Sequence, residues 1–305
     1  HTRYISVTGV QTCALPIYSL KDSIAIGMSA GSAVVGGVSI GYQAGQTSQG
    51  NYGVAIGANA GKTSQQSGGI AIGNSTSSSG TQTTAIGCNS GTNQGSVATT
   101  GSGAMALGGS YASGQDSFSA SGANNTSSYG ATGPNAITIG YQAKAGWQGI
   151  AIGYNAVSTG QQSIAIGYNA GLDGNQQNDA IAIGHNAGAY NQQLGTVAIG
   201  KTAGNSGQGQ HAIAIGAEAG ATNQFISAIA IGEAAGYSNQ SFSAVAVGRW
   251  AGETSQGWAS VAVGRIAGRN NQGGYAVAMG YHAGESNQGT NGVAIGNYEI
   301  GRAHV

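Results

Sequence analysis

Charge is scarce in this 305-residue chain, with nine Lys and Arg, nine Asp and Glu, and a formal net charge of zero. An ordinary domain is about one quarter charged, so the 6% found here leaves few titratable groups for catalysis or phosphate binding. Nucleic acid is excluded as an expected partner, because that binding runs on clustered Lys and Arg. Proline occurs twice and cysteine twice, at Cys13 and Cys88, which says little about redox compartment. No apolar run approaches the ~20 residues of a membrane-spanning helix. What the chain has instead is glycine, 58 residues of it, with abundant Ser, Gln and Asn. That composition suggests disorder only where it is aperiodic, and here it is periodic.

The two ends stand apart. Ile300 to Val305, IGRAHV, back-translates to ATC-GGA-AGA-GCA-CAC-GTC, which resembles a common short-read sequencing adapter. Val7 to Ile17, VTGVQTCALPI, back-translates to the reverse complement of the same adapter, and His1-Thr2-Arg3 fit the primer beyond it. Residues 1–17 and 299–305 are therefore read as adapter translation and set outside fold reasoning. The expected protein runs from about Tyr18 to Tyr298, an internal fragment with neither natural terminus. It keeps seven basic and eight acidic side chains, with Cys88 as its one cysteine.

A four-residue signature, aliphatic-Ala-aliphatic-Gly, recurs along the whole of it. Its glycines include Gly27, Gly41, Gly57, Gly140, Gly153, Gly167 and Gly184, and from Gly184 to Gly296 they recur every sixteen residues. Earlier spacings are mostly thirteen to seventeen, and between Gly87 and Gly140 the pattern loosens, with one degenerate turn ending at Gly122. Residues 88–135 are expected to be irregular, with bulges or loops around Ala112 to Gly133. Alternation at period two predicts a short strand, and the following glycine a sharp corner. The aliphatic pair, such as Ile213 and Ile215, is expected to form the core. The residue between them is alanine in fifteen of seventeen turns, with Ser39 and Thr138 the exceptions. That alanine column is expected to face outward as a smooth apolar contact stripe. Glutamine lies eight residues after the glycine at nine positions, from Gln49 to Gln288, and stacked coils would align these amides into hydrogen-bonded ladders. Helical repeats do not fit, since each Gly costs a helix about 1 kcal/mol. The fold class is all-β, a parallel β-solenoid of about seventeen or eighteen coils of 13–17 residues, forming a rod about 80 Å long at the ~4.8 Å strand spacing.

The run AIGYNAVSTGQQSIAIG, Ala151 to Gly167, is similar to the head repeat of trimeric autotransporter adhesins, the YadA-like heads. The sixteen-residue form, AIGxxAGxxxQ, resembles repeats of phage and large-virus fibre proteins. The resemblance implies a left-handed β-roll, a homotrimer, a place on a cell or virion surface, and adhesion to a host glycan or matrix protein. No coiled-coil stalk, neck or membrane barrel accompanies the repeats.

No catalytic, cofactor or metal residues are assigned. His185, His211 and His282 fall at different offsets from their glycines and read as isolated surface residues. Asp173 and Asp179 flank a longer turn, but calcium-binding rolls carry an Asp in every turn. Glu218 and Glu233, in adjacent columns of neighbouring coils, are the one carboxylate pair worth testing for the rival reading, a carbohydrate-active tailspike or lyase. An ice-binding face would need a Thr column where alanine stands. The position after the repeat glycine carries Tyr141, Tyr154 and Tyr168, then Glu233, Arg249, Arg265 and Tyr281. Two readings stay open for it: a contact ladder, or a solvated corner with incidental stacking.

Overall fold

The computed structural model describes residues 22–31, 34–87, 98–121, 128–173, 176–300 and 302–303. Among these, every regular element is a strand of two to four residues. Each repeat signature forms one strand of a single nineteen-stranded sheet, from Ile24–Ile26 through to Gly292–Ile295. Neighbouring coils pair parallel and in register, as in Ile213↔Ile229, Ala214↔Ala230 and Ile215↔Ile231. The one exception is the last pairing, where Arg302–Ala303 runs antiparallel to Gly292–Ile295, which leaves eighteen parallel rungs. The chain is thus the expected parallel β-solenoid. The degenerate turn holds its place in it, since Phe118–Ser121 bridges Met105–Gly108 and Ile137–Ile139.

Opposite the main sheet lie two smaller ones of six strands each. One joins two-residue strands, Ser77–Ser78, Ala98–Thr99, Tyr111–Ala112, Gly130–Ala131, Lys144–Ala145 and Val157–Ser158. The other joins three-residue strands from Tyr190–Gln192 to Asn270–Gln272, each ending on the glutamine column. Strands at Ala98–Thr99, Met105–Gly108, Tyr111–Ala112, Phe118–Ser121 and Gly130–Ala131 carry the coil through the stretch where the repeat is weakest.

The expected inside and outside of the main sheet are exchanged. Ala214, Ala230, Ala246, Ala262 and Ala278 are fully buried, whereas Ile215 and Ile231 are more than one third exposed. The alanine column is therefore core, and the aliphatic pair paves the outer face. The reason is the thinness of the coil. A Cβ placed on Gly220 would sit 3.2 Å from the Ala214 Cβ and 2.7 Å from the Gln224 Oε1, so no space remains for a longer side chain at the central position. Period two is right, but its phase has to be set by volume rather than by hydropathy, because both faces are apolar.

Each sixteen-residue coil is filled by three small inward residues and one glutamine, for example Ala212, Ala214, Ala219 and Gln224. From Gln176 onward the glutamines form the expected ladder, and it runs through the interior, whereas the Nε2 groups of Gln49 and Gln65 go to backbone carbonyls and not to another glutamine. From Gln176 to Gln272 each Nε2 donates to the Oε1 of the glutamine one coil on, ending at Gln288, at 3.0–3.2 Å. The same Nε2 also donates to backbone carbonyls, Gln224 to those of Ile213 at 2.8 Å and Ala228 at 3.1 Å. Those carbonyls lie at the starts of two neighbouring main-sheet strands, Ile213–Ile215 and Ile229–Ile231, so the amide ties the glutamine wall to the main sheet across two coils.

Tight corners close the coil. The repeat glycines hold φ near +125°, and a Cβ on Gly216 would lie 2.6 Å from the Gly232 carbonyl oxygen of the next coil, so only glycine fits the stack. Other corners put non-glycine residues in the left-handed region, including Glu218, Asn223 and Ser227 within one coil.

Candidate functional site: the outer faces of the coil

The corner after the repeat glycine presents a true ladder. Tyr141, Tyr154, Tyr168 and His185 stack in succession with ring centroids 5.2 Å apart and planes within 16°. Parallel register brings this about, since each ring projects from the same corner of the next coil. His185 is therefore the top of an aromatic stack and not an isolated side chain.

Three coils beyond His185, the same corner carries Glu233 and then Arg249 and Arg265. Glu233 pairs with Arg249 at 3.1 Å, both about half exposed. The Arg249 guanidinium lies 3.8 Å from the Trp250 ring centroid, with Arg265 and Arg269 at 5.5 and 5.6 Å. Arg269 is hydrogen-bonded to Glu253, which raises its pKa further above the ordinary arginine value. Arg265 donates to the Tyr281 hydroxyl at 2.9 Å, and His282 Nδ1 meets Glu285 at 2.6 Å. Cations here are neutralised by carboxylates or spread over a ring, so the corner is an interlocked polar surface rather than an open anion site.

The two residues of the suspected acid pair lie on the outer surface in different settings. Glu218 occupies an exposed corner, and Glu233 is engaged by Arg249 on the outside of the coil. Asp173 accepts from the Asn191 backbone N–H at 2.8 Å, and so serves to anchor a loop to the next coil. Among the described residues, no group of three or more His, Cys, Asp or Glu is placed to hold a metal. None forms a helix long and apolar enough to cross a membrane.

Sequence reasoning missed a second aromatic line. Phe225, Phe242, Trp258 and Tyr275 follow one another at 5.2, 6.5 and 6.1 Å, all exposed by more than two fifths. They lie at slightly different offsets from their glycines, so a search along fixed columns does not find them. Allowing a drift of one position per coil would have done so.

With the coil, its alanine core and its outward aliphatics established, comparison with known families becomes informative. Two stretches match the YadA head domain repeat, at residues 67–90 and 148–170. Both matches fall on the narrower coils, around Gly73–Gly87 and Gly153–Gly167, and the second contains the run whose resemblance the sequence had suggested. The sixteen-residue coils from Gly184 onward lie outside both matches; they share the main-sheet strand of the matched coils and carry the glutamine ladder in the opposite wall. No curated protein matches the chain.

Proposed function

We propose that this chain is a non-enzymatic segment of an adhesive surface fibre, and that it works as a homotrimer displayed outside the cell. The observation that carries the proposal is the outer face of the main sheet. Ile and Val side chains flank the buried alanine column along the whole solenoid, and Ile26, Ile86, Ile139, Ile215, Ile231, Met279 and Ile295 are each at least 36% exposed. Eighteen rungs at ~4.8 Å make this a band about 80 Å long and two side chains wide. Soluble monomers rarely leave so long an apolar surface uncovered, and closed symmetric assembly is the ordinary way to bury it. The number three, the surface location and the adhesive role come from the likeness to the YadA head repeat. Sparse charge and scattered carboxylates support the non-enzymatic reading, and the tyrosine ladder and polar corners supply a contact surface for a glycan or matrix protein.

The test is the mass of the chain in solution, beside a double Ile215→Glu, Ile231→Glu variant. A trimer that falls to monomer in the variant, with β-structure retained, is the expected result. A monomeric parent chain would overturn the proposal. The alanines are unsuitable probes, because Ala214→Glu would place a carboxylate inside the coil.

A further inference from the structure

The outer side of the glutamine sheet carries a second column of amides, which is interrupted. Asn191, Asn223, Asn239, Asn271 and Asn287 recur at one position, all with φ of 52–56°, a left-handed conformation that asparagine tolerates. Where two are adjacent they bond along the stack, Asn223 Nδ2 to Asn239 Oδ1 at 3.2 Å and Asn271 Nδ2 to Asn287 Oδ1 at 3.2 Å. Between Asn191 and Asn223 the position is Gly207, and two residues on the chain has a further glycine, Gly209.

The missing side chains open a shallow hollow of about 240 Å³. Across its Gly207 gap, Asn191 and Asn223 stand two rungs apart, about 10 Å. The Asn223 Oδ1 is turned into the gap, 3.2 Å from where a Cβ on Gly207 would lie, while its Nδ2 is already given to Asn239. The Asn191 side-chain amide has no hydrogen-bond partner among the described residues, while its backbone N–H donates to Asp173 Oδ2 at 2.8 Å. The gap therefore offers an acceptor on one side and an uncommitted amide on the other, at the spacing into which one further amide fits. One wall of the hollow is apolar, made by Phe225 and Phe242, whose rings are 5.2 Å apart and tilted by 40°.

We propose that this notch binds the acetamido group of an N-acetylhexosamine unit. The ligand amide takes the place of the absent asparagine side chain: its N–H donates to Asn223 Oδ1 and its carbonyl accepts from Asn191 Nδ2. The pyranose ring or the acetyl methyl group lies against Phe225 and Phe242. A small concave site with one apolar wall and a few placed polar groups is the ordinary form of such recognition, and its volume suits a single ring. The inference deepens the adhesive reading given above and rests on it for biological meaning, but not for the chemistry of the notch.

The experiment titrates the full chain with chitotriose, with the matching glucosamine trimer and with a short Gln/Asn-rich peptide, following the Phe225 and Phe242 resonances or heat. Chitotriose alone is expected to bind, and Gly207→Asn, which fills the gap with the residue of its own column, is expected to weaken it by roughly tenfold or more at unchanged β-structure. Phe225→Ser serves as a second variant with the same expected direction. Absence of chitotriose binding, equal binding of the deacetylated trimer, preference for the peptide, or indifference to both substitutions would each overturn the proposal. Adhesion of the chain to glycan-coated surfaces that survives Gly207→Asn would leave the adhesive function standing and remove this site from it.

Discussion

The coils of 13 and 14 residues between Gly140 and Gly167 and the sixteen-residue coils from Gly184 onward share one main-sheet strand, yet they solve the opposite wall differently. In the narrow coils two-residue strands bring Ala145 and Ser158 inward, and Ser158 Oγ bonds locally to the Ser163 carbonyl at 2.8 Å and hydroxyl at 2.7 Å. In the wide coils the added residues push that wall outward, and only a side chain as long as glutamine reaches back to the main sheet. Narrow coils are therefore satisfied one at a time. Wide coils share their inner amides, so each depends on its neighbours. The seam shows the difference: the Oε1 of Gln176, first in the ladder, is buried without a partner where the fourteen-residue coil ends.

The sharpest way to break this contrast is to remove a rung. Gln240 Nε2 donates to Ile229 O, Ala244 O and Gln256 Oε1, while its own Oε1 accepts from Gln224. Gln240→Ala leaves the Gln256 Oε1 without its donor, takes the side-chain donor from the Ile229 and Ala244 carbonyls, removes one of the three acceptors of Gln224 Nε2, and opens a void. A loss of about 2–4 kcal/mol is expected from unsatisfied buried groups and the cavity together. Denaturant melts read the total. Hydrogen exchange should show the loss spreading to the coils on both sides, and an effect confined to one coil would contradict the shared-amide picture.

The narrow counterpart is Ser158→Ala. One hydroxyl disappears, but the Ser163 carbonyl keeps its bond from the Ile150 N–H at 3.0 Å, and Ser163 Oγ keeps the Gly160 carbonyl at 2.7 Å. The expected cost is about 1 kcal/mol, with exchange changed only in that coil. A loss as large as that of Gln240→Ala would erase the distinction between the two regions.

How much of this was legible in the residues follows from what repeats and what does not. The coil, its length and the glutamine register are written in the spacing of Gly184 to Gly296 and of Gln192 to Gln288. Which face of Ile213-Ala214-Ile215 turns inward is not, because hydropathy favours the larger side chains for burial, and only the closeness of Gly220 and Gln224 reverses that preference. The burial of glutamine is hidden for a related reason. An isolated amide is costly to bury, and its cost is removed only by the next coil's amide, a partner sixteen residues away. The notch at Gly207 is less visible still, since in a chain with 58 glycines one more carries no signal until the column it interrupts is known.

The smallest expected effect concerns the corners, where coils of both kinds hold non-glycine residues in the left-handed region. At the second residue after the repeat glycine, the narrow coils place Gln142 and Asn155 in the left-handed region, and the wide coils place Asn186 there but also Glu218, Trp250 and Ile266, these three with φ of 58–65°. Asparagine visits that region at low cost because its short side chain bonds locally, while other residues with a Cβ are strained by roughly 1–2 kcal/mol. Glu218 is exposed, so its replacement removes little packing. Glu218→Asn is therefore expected to stabilise the chain by about 0.5 kcal/mol, part of the strain being retained because asparagine also carries a Cβ. Asn155→Glu, the reverse exchange in a narrow coil, is expected to destabilise by a similar amount. Thermal melts of the two variants read the pair together. Shifts of the same sign would mean that the corner column is set by something other than backbone conformation, whereas opposite signs would show that the Glu218 corner carries strain that the Asn155 corner avoids.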